Sequence, residues 1–175
     1  ATWVGARYRH VMRPGVDGST AMVKVTTIPK GTRSRLSMGQ SDLHDYTIQG
    51  DFKAGTQDNK VPDFGVIGPG STFFIEGAIE RMQIQSWQAH DKRTFVAQNF
   101  KLDPNVWYTL KLRAENSADK AVLRGKIWKR GEKEPAAWTL ELVDPQPNKA
   151  GSPGLYGDAT NAEVFIDNIT VTANE

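Results

Sequence analysis

The 175-residue chain contains no cysteine, so disulfides, thiol nucleophiles and thiolate metal sites are excluded together. Nor does any apolar run approach the roughly 18 to 20 residues that a membrane-spanning helix needs. Histidine is scarce, with only His10, His44 and His90. Two of these directly precede aspartate, in "LHDY" and "AHDK". Neighbouring residues on a strand point to opposite faces, so neither dipeptide is a ready-made chelate or a base with its orienting carboxylate, and loop polarity explains both. Nucleophile-elbow, phosphate-loop, dinucleotide and zinc-helix motifs are all absent. A retaining glycosidase needs two carboxylates about 5 to 5.5 Å apart. The nearest candidates, Glu76 and Glu80 in "FFIEGAIER", straddle a glycine and read as the polar flank of a turn. No catalytic residue, metal ligand or cofactor is assigned.

What is present suits one domain spanning residues 1–175, since 38% hydrophobic composition supports a single core at this length. The net charge of +2 is unevenly spread. Residues 1–36 carry seven basic side chains (Arg7, Arg9, Arg13, Lys24, Lys30, Arg33, Arg35) against one acid, Asp17, whereas the remainder carries 15 bases and 19 acids. A basic segment can draw in an acidic partner or pack against the acidic remainder. Nucleic acid is not an expected partner, because modules that bind it are basic as a whole.

Turn signals recur at short intervals, among them Pro14-Gly15, Gly68-Pro69-Gly70, Arg130-Gly131 and "DPQPNKAGSPG". Between them lie nine runs rich in β-branched and aromatic residues: "TAMVKVTTI", "DYTIQGDF", "FGVIG", "TFFIE", "RMQIQSW", "VWYTLKLRA", "KAVLRGKIW", "AWTLELV" and "AEVFIDNITV". Their alternation, with no long amphipathic helix and no repeat period, predicts an all-β, two-sheet antiparallel sandwich. Period two assigns Tyr46, Ile48, Phe52, Met82, Ile84, Tyr108, Leu110, Leu112, Leu123 and Ile127 to the core. Trp138, alternating with Leu140 and Leu142, joins them.

The opposite faces carry the candidate site. Arg81, Gln83, Gln85 and Trp87 point outward from one strand, Arg113 from another, and Arg124 and Trp128 from a third. Pyranose rings offer apolar C–H faces that stack on aromatics, and hydroxyl rims that take amide and guanidinium partners. Trp87 and Trp128 are therefore the expected stacking platforms, Gln83 and Gln85 the hydroxyl partners, and Arg81, Arg113 and Arg124 the charged donors. Loops folded over the tryptophans would account for the same pattern without a ligand. In the last run, strict alternation puts Asp167 on a face with Phe165, Ile169 and Val171. A buried carboxylate is costly without partners, so a bulge at Asp167-Asn168 or a hydrogen-bonding partner is expected there.

Together "DYTIQGDF", "VWYTLKLRA", "AVLRGKIWKRGEKEPAAWTLELVD" and "GSPGLYGDATNAEVFIDNITV" resemble concanavalin A-like jelly-roll domains of the laminin-G and 3-keto-disaccharide hydrolase-like kind. "WVGARY" and "DLHDYTIQ" add a likeness to the module that follows pyrroloquinoline-quinone-type β-propeller repeats in exported bacterial proteins. The resemblance spans almost the whole chain and implies two curved sheets, a glycan-binding face, an adjoining propeller, and a periplasmic or secreted setting. It does not imply quinone binding, because the propeller repeats are absent from this chain. It further implies room for a structural calcium at an aspartate near the last strand, matching Asp167, although one Asp supplies few of the six to eight oxygens calcium takes. A non-catalytic carbohydrate-recognition or accessory module is the leading expectation. A glycoside-processing hydrolase and a docking or self-association domain are the alternatives.

Overall fold

The structure, a computed structural model, describes residues 3–4, 10–15, 18–26, 33–160 and 162–175. Of the basic segment, Arg7, Arg9 and Lys30 lie outside the described residues, as does most of "WVGARY". Among the described residues, strands fill two antiparallel sheets of seven strands each. In chain order these are β1 (Trp3–Val4), β2 (His10–Pro14), β3 (Thr20–Lys24), β4 (Ser34–Met38), β5 (Tyr46–Ala54), β6 (Asp63–Gly68) and β7 (Ser71–Glu76). The second half supplies β8 (Arg81–Ser86), β9 (Phe95–Asn99), β10 (Trp107–Ser117), β11 (Lys120–Lys129), β12 (Leu140–Asp144), β13 (Gly154–Asp158) and β14 (Val164–Ala173). One sheet runs β1-β4-β13-β6-β7-β8-β9 and the other β12-β11-β10-β5-β14-β3-β2. The two-sheet sandwich expected from the alternation, with the jelly roll that the resemblance implies, is the fold observed.

All nine runs form strands, and the inward residues meet in one core. Ile48, Phe52, Leu110 and Leu112 from one sheet pack with Phe64, Phe73, Ile75, Met82 and Ile84 from the other. Phe52 and Phe64 stack at 5.3 Å across the sandwich. Each such side chain contributes about 1.5–3 kcal/mol by leaving water.

Trp138 corrects an expectation. The strand begins at Leu140, after a bend at Thr139 whose N–H bonds to Gly125 O at 3.0 Å. Trp138 is only half-buried and lies on the outer face, 4.5 Å over the Lys126 ammonium. The indole covers the buried Lys126 ammonium, and the core does not hold it.

The closing strand carries the expected bulge. Pairing of β14 with β5 shifts register between Asp167 and Thr170, where Asn168 takes φ +50°. Before the bulge Val164 and Ile166 are inward and Phe165 and Asp167 outward; after it Ile169 and Val171 pack against the core. One extra residue thus reverses the facing of the alternation. Asp167 accepts from Ser19 Oγ at 3.0 Å and from the Asn168 N–H at 2.9 Å. Asp51 opposite accepts from Thr109 Oγ1 at 2.6 Å and Asn168 Nδ2 at 2.8 Å. Arg130 bridges the two carboxylates, at 3.4 Å from Asp51 and 3.8 Å from Asp167.

Candidate functional site

The outer face of the β1-containing sheet is hollowed along its middle. Register aligns Arg35, Tyr156, Gly65, Phe74, Gln83 and Ala97 across six strands, and beside them Ser37, Gly154, Ile67, Thr72, Gln85 and Phe95. Gly65 and Gly154 add no side chains to these two rows, whose other members include Arg35, Tyr156, Phe74 and Phe95. The result is a groove of about 430 Å³ that includes Arg35, Phe74, Gln85, Trp87, Arg93 and Tyr156 in its lining.

Trp87 follows directly on β8 and is held rather than free. Its N–H bonds to Gly70 O at 2.7 Å, its indole Nε1 donates to Thr72 Oγ1 at 2.7 Å, and the Arg35 guanidinium lies over its ring at 4.7 Å. With 37% of the residue exposed, an aromatic surface remains for a ligand at little ordering cost. Gln83 and Gln85 meet amide to amide at 2.9 Å. Arginine can only donate, so the Gln85 amide is oriented with its carbonyl 3.1–3.2 Å from the Arg93 guanidinium.

The other end of the groove is acidic. Asp63 pairs with Asp158 in register, and Glu76 bonds to Arg81 at 2.6 Å. Burial, aided by Asp158 and Glu76, raises the Asp63 carboxyl to about 6, against the lowering effect of the Gly77 N–H and Arg33. Burial first, then Asp63, pushes the Tyr156 phenol up to about 12, so it stays a neutral hydroxyl. An acid whose folded pKa is raised binds more protons folded than unfolded. Its favourable contribution is complete below the unfolded value near 4 and is lost as pH rises through about 6. Asp63→Asn keeps an acceptor for the Gly77 N–H, at 3.0 Å in the native chain, without the charge. The variant is expected to be more stable than the native protein at pH 7 by about 2–3 kcal/mol, with the difference vanishing near pH 4. Urea unfolding of both proteins from pH 4 to 8 measures this; a constant difference across the range would contradict it.

The seven residues expected at the site divide between opposite faces of the sandwich. Arg81, Gln83, Gln85 and Trp87 share the groove face, although Gln83 is only 5% exposed. Arg113, Arg124 and Trp128 stand on the outer face of the other sheet. There Arg113 pairs with Glu115 at 2.8 Å, and Arg124 pairs with Glu115 and, at 2.7 Å, with Glu141. Trp87 and Trp128 therefore do not flank one ligand. Alternation separates inside from outside but does not reveal to which sheet a strand belongs. The other outward tryptophan, Trp107, lies between Lys53 at 5.3 Å and Arg130 at 5.2 Å.

Arg35, Arg93 and Tyr156 line the groove but lie outside the expected set, as does Phe95 on the same sheet face. Phe95 lies opposite Gln85 with 61% of its surface exposed, a second aromatic platform on the same face. Its alternation with Ala97 was the available signal.

Among the described residues no group of three or more His, Asp or Glu side chains is arranged to hold a metal. The Asp167 oxygens face Ser19, the Asn168 N–H and Arg130, all hydrogen-bond donors.

No protein-family model matches the sequence, and no curated protein matches it. Solved structures do resemble the fold. A structure described as carbohydrate-binding module CBM66 from Bacillus subtilis aligns with a TM-score of 0.65 and 12% identity over 98% of this chain and 95% of its own. A Caenorhabditis elegans galectin aligns at 0.51 and 12% over 86% of this chain and 95% of its own. The binding domain of botulinum neurotoxin DC, described in complex with SialylT, aligns at 0.59 and 9%, and this chain spans 43% of its length. At these identities the likeness is one of fold: this chain is a jelly-roll β-sandwich.

Proposed function

We propose that this chain is a non-catalytic carbohydrate-recognition module whose ligand lies in the groove against Trp87. The observation that carries the reading is Trp87 itself, a part-exposed indole locked by Thr72 and Arg35 beside the Gln85 amide. That is the pairing of apolar platform and fixed polar groups a sugar ring requires. Neighbours described as a carbohydrate-binding module, a galectin and a SialylT-bound domain support it. The sequence likeness to modules following propeller repeats supports an accessory role in an exported bacterial protein.

Glycan-array screening followed by titration calorimetry tests the assignment. Trp87→Ala is expected to weaken binding about 10- to 100-fold, ~1.4–2.7 kcal/mol. Trp128→Ala, on the opposite face, is expected to leave it unchanged. Equal affinity of Trp87→Ala and the native protein would remove this groove from consideration.

A second reading, hydrolysis of a glycosidic bond, is favoured by Asp63. It keeps its proton to about pH 6 and lies in register with Asp158 on the neighbouring strand, and a carboxyl held protonated in this way can act as the general acid of glycoside cleavage. Turnover of a keto-disaccharide that Asp63→Asn abolishes would put this reading first.

A further inference from the structure

The arginines sort into two kinds. Arg13, Arg33, Arg81, Arg113, Arg124 and Arg130 each lie within 4 Å of a carboxylate, at distances such as 2.6 Å to Glu163 and 3.7 Å to Asp158. Among the described residues only Arg35 and Arg93 have no carboxylate partner. Arg35 contacts the Trp87 ring, and Arg93 donates to Gln88 O at 3.4 Å and to Gln85. Both line the same groove, at its Trp87 end. In a chain with nearly balanced charge, two guanidinium groups left without counter-charge in one groove mark a place where negative charge is favoured.

We infer that the groove selects an acidic glycan, seating a carboxylate or sulfate substituent between Arg35 and Arg93 while the sugar ring stacks on Trp87. This rests on the carbohydrate reading and adds the ligand's charge and direction to it. Each guanidinium keeps N–H donors beyond those engaged with protein, and its planar fork suits a carboxylate or sulfate edge. Cation–π contact with Trp87, at 4.7 Å, restrains Arg35, which lowers the side-chain freedom lost on binding. Asp63, Glu76 and Asp158 at the far end disfavour the reverse orientation. The ligand is therefore read as polar along its length, with the anionic group toward Trp87 and neutral hydroxyls toward Asp63.

The test uses tetragalacturonate, its methyl ester and a sulfated galactose tetramer, titrated calorimetrically at low and physiological salt. The native protein is expected to bind at least one of the two anionic probes tenfold or more tighter than the ester, and the preference is expected to shrink with salt. Which anion binds separates the carboxylate source from the sulfate source. Arg93→Gln and Arg35→Gln are each expected to reduce the anionic-to-neutral affinity ratio below threefold, and Arg93→Lys to restore part of it. Equal affinity for anionic and neutral probes, or an unchanged ratio in both glutamine variants, would overturn charge selection while leaving the carbohydrate reading intact. Binding of no glycan by the native protein would overturn both. Melting temperatures of each variant separate loss of binding from loss of fold.

Discussion

Gly65→Ala is expected to destabilise the protein by about 3 kcal/mol or more, and in the extreme to prevent folding. A Cβ at this position would lie 2.1 Å from Phe73 O and 2.5 Å from Phe74 Cα. Both are backbone atoms of the paired strand β7, so relief requires strands to separate rather than a side chain to swing away. The constraint is space, since Gly65 is not among the residues of positive φ. Gly157→Ala in the neighbouring strand β13 is the matched control, because its nearest atom would be Lys24 Cγ at 3.5 Å, an ordinary contact. That variant is expected to fall within about 0.5 kcal/mol of the native protein. Urea unfolding of the three proteins decides the matter, and equal midpoints for the two variants would refute the argument. The same geometry bears on the site: a strand pair too close for a Cβ at Gly65 leaves bare backbone between Tyr156 and Phe74, both of which line the groove.

The sequence exposes some of this and hides the rest for identifiable reasons. Strands such as β5 and β10 bury alternate side chains almost completely, so their apolar period is unambiguous in the residues themselves. Strand β4 has one large buried hydrophobe, Leu36, and the edge strand β9 rests on Val96 alone; strands with a single anchor leave no period to read. Strand β13 is hidden differently. Gly154 is required because a Cβ would lie 2.1 Å from Leu36 O, and that glycine makes "GLYGD" look like a turn. Tyr156, in the middle of the groove, was lost with it. The candidate set was similarly half legible: Gln85 and Trp87 follow from the alternation of β8, whereas Arg35 and Arg93 reach them only through pairing in space. Trp138 left the core because a bend precedes its strand, and alternation carried through a bend assigns the wrong face.

Phe73→Ala is expected to cost about 3–5 kcal/mol, among the largest losses available in this core. Phe73 has no exposed surface, and its ring reaches across the sandwich to the bare Cα of Gly125 on β11. A Cβ on Gly125 would meet Phe73 Cδ2 at 3.0 Å and Ile84 Cδ1 at 3.1 Å, so Gly125→Ala alone is expected to cost about 1–2 kcal/mol by overpacking. The two effects oppose each other, because truncating the ring opens space where the added methyl collides. The double variant is therefore expected to lose at least about 1 kcal/mol less than the sum of the single losses. A double-mutant cycle in urea measures that coupling, and additivity within about 0.3–0.5 kcal/mol would mean that ring and glycine do not share the space. The coupling bears on the groove as well as the core. Phe73 lies between Thr72, which fixes Trp87, and Phe74, which lines the groove. The inward ring thus sets the height of both outward neighbours through one stretch of backbone, and a strand shifted by its loss would carry the Trp87 anchor with it.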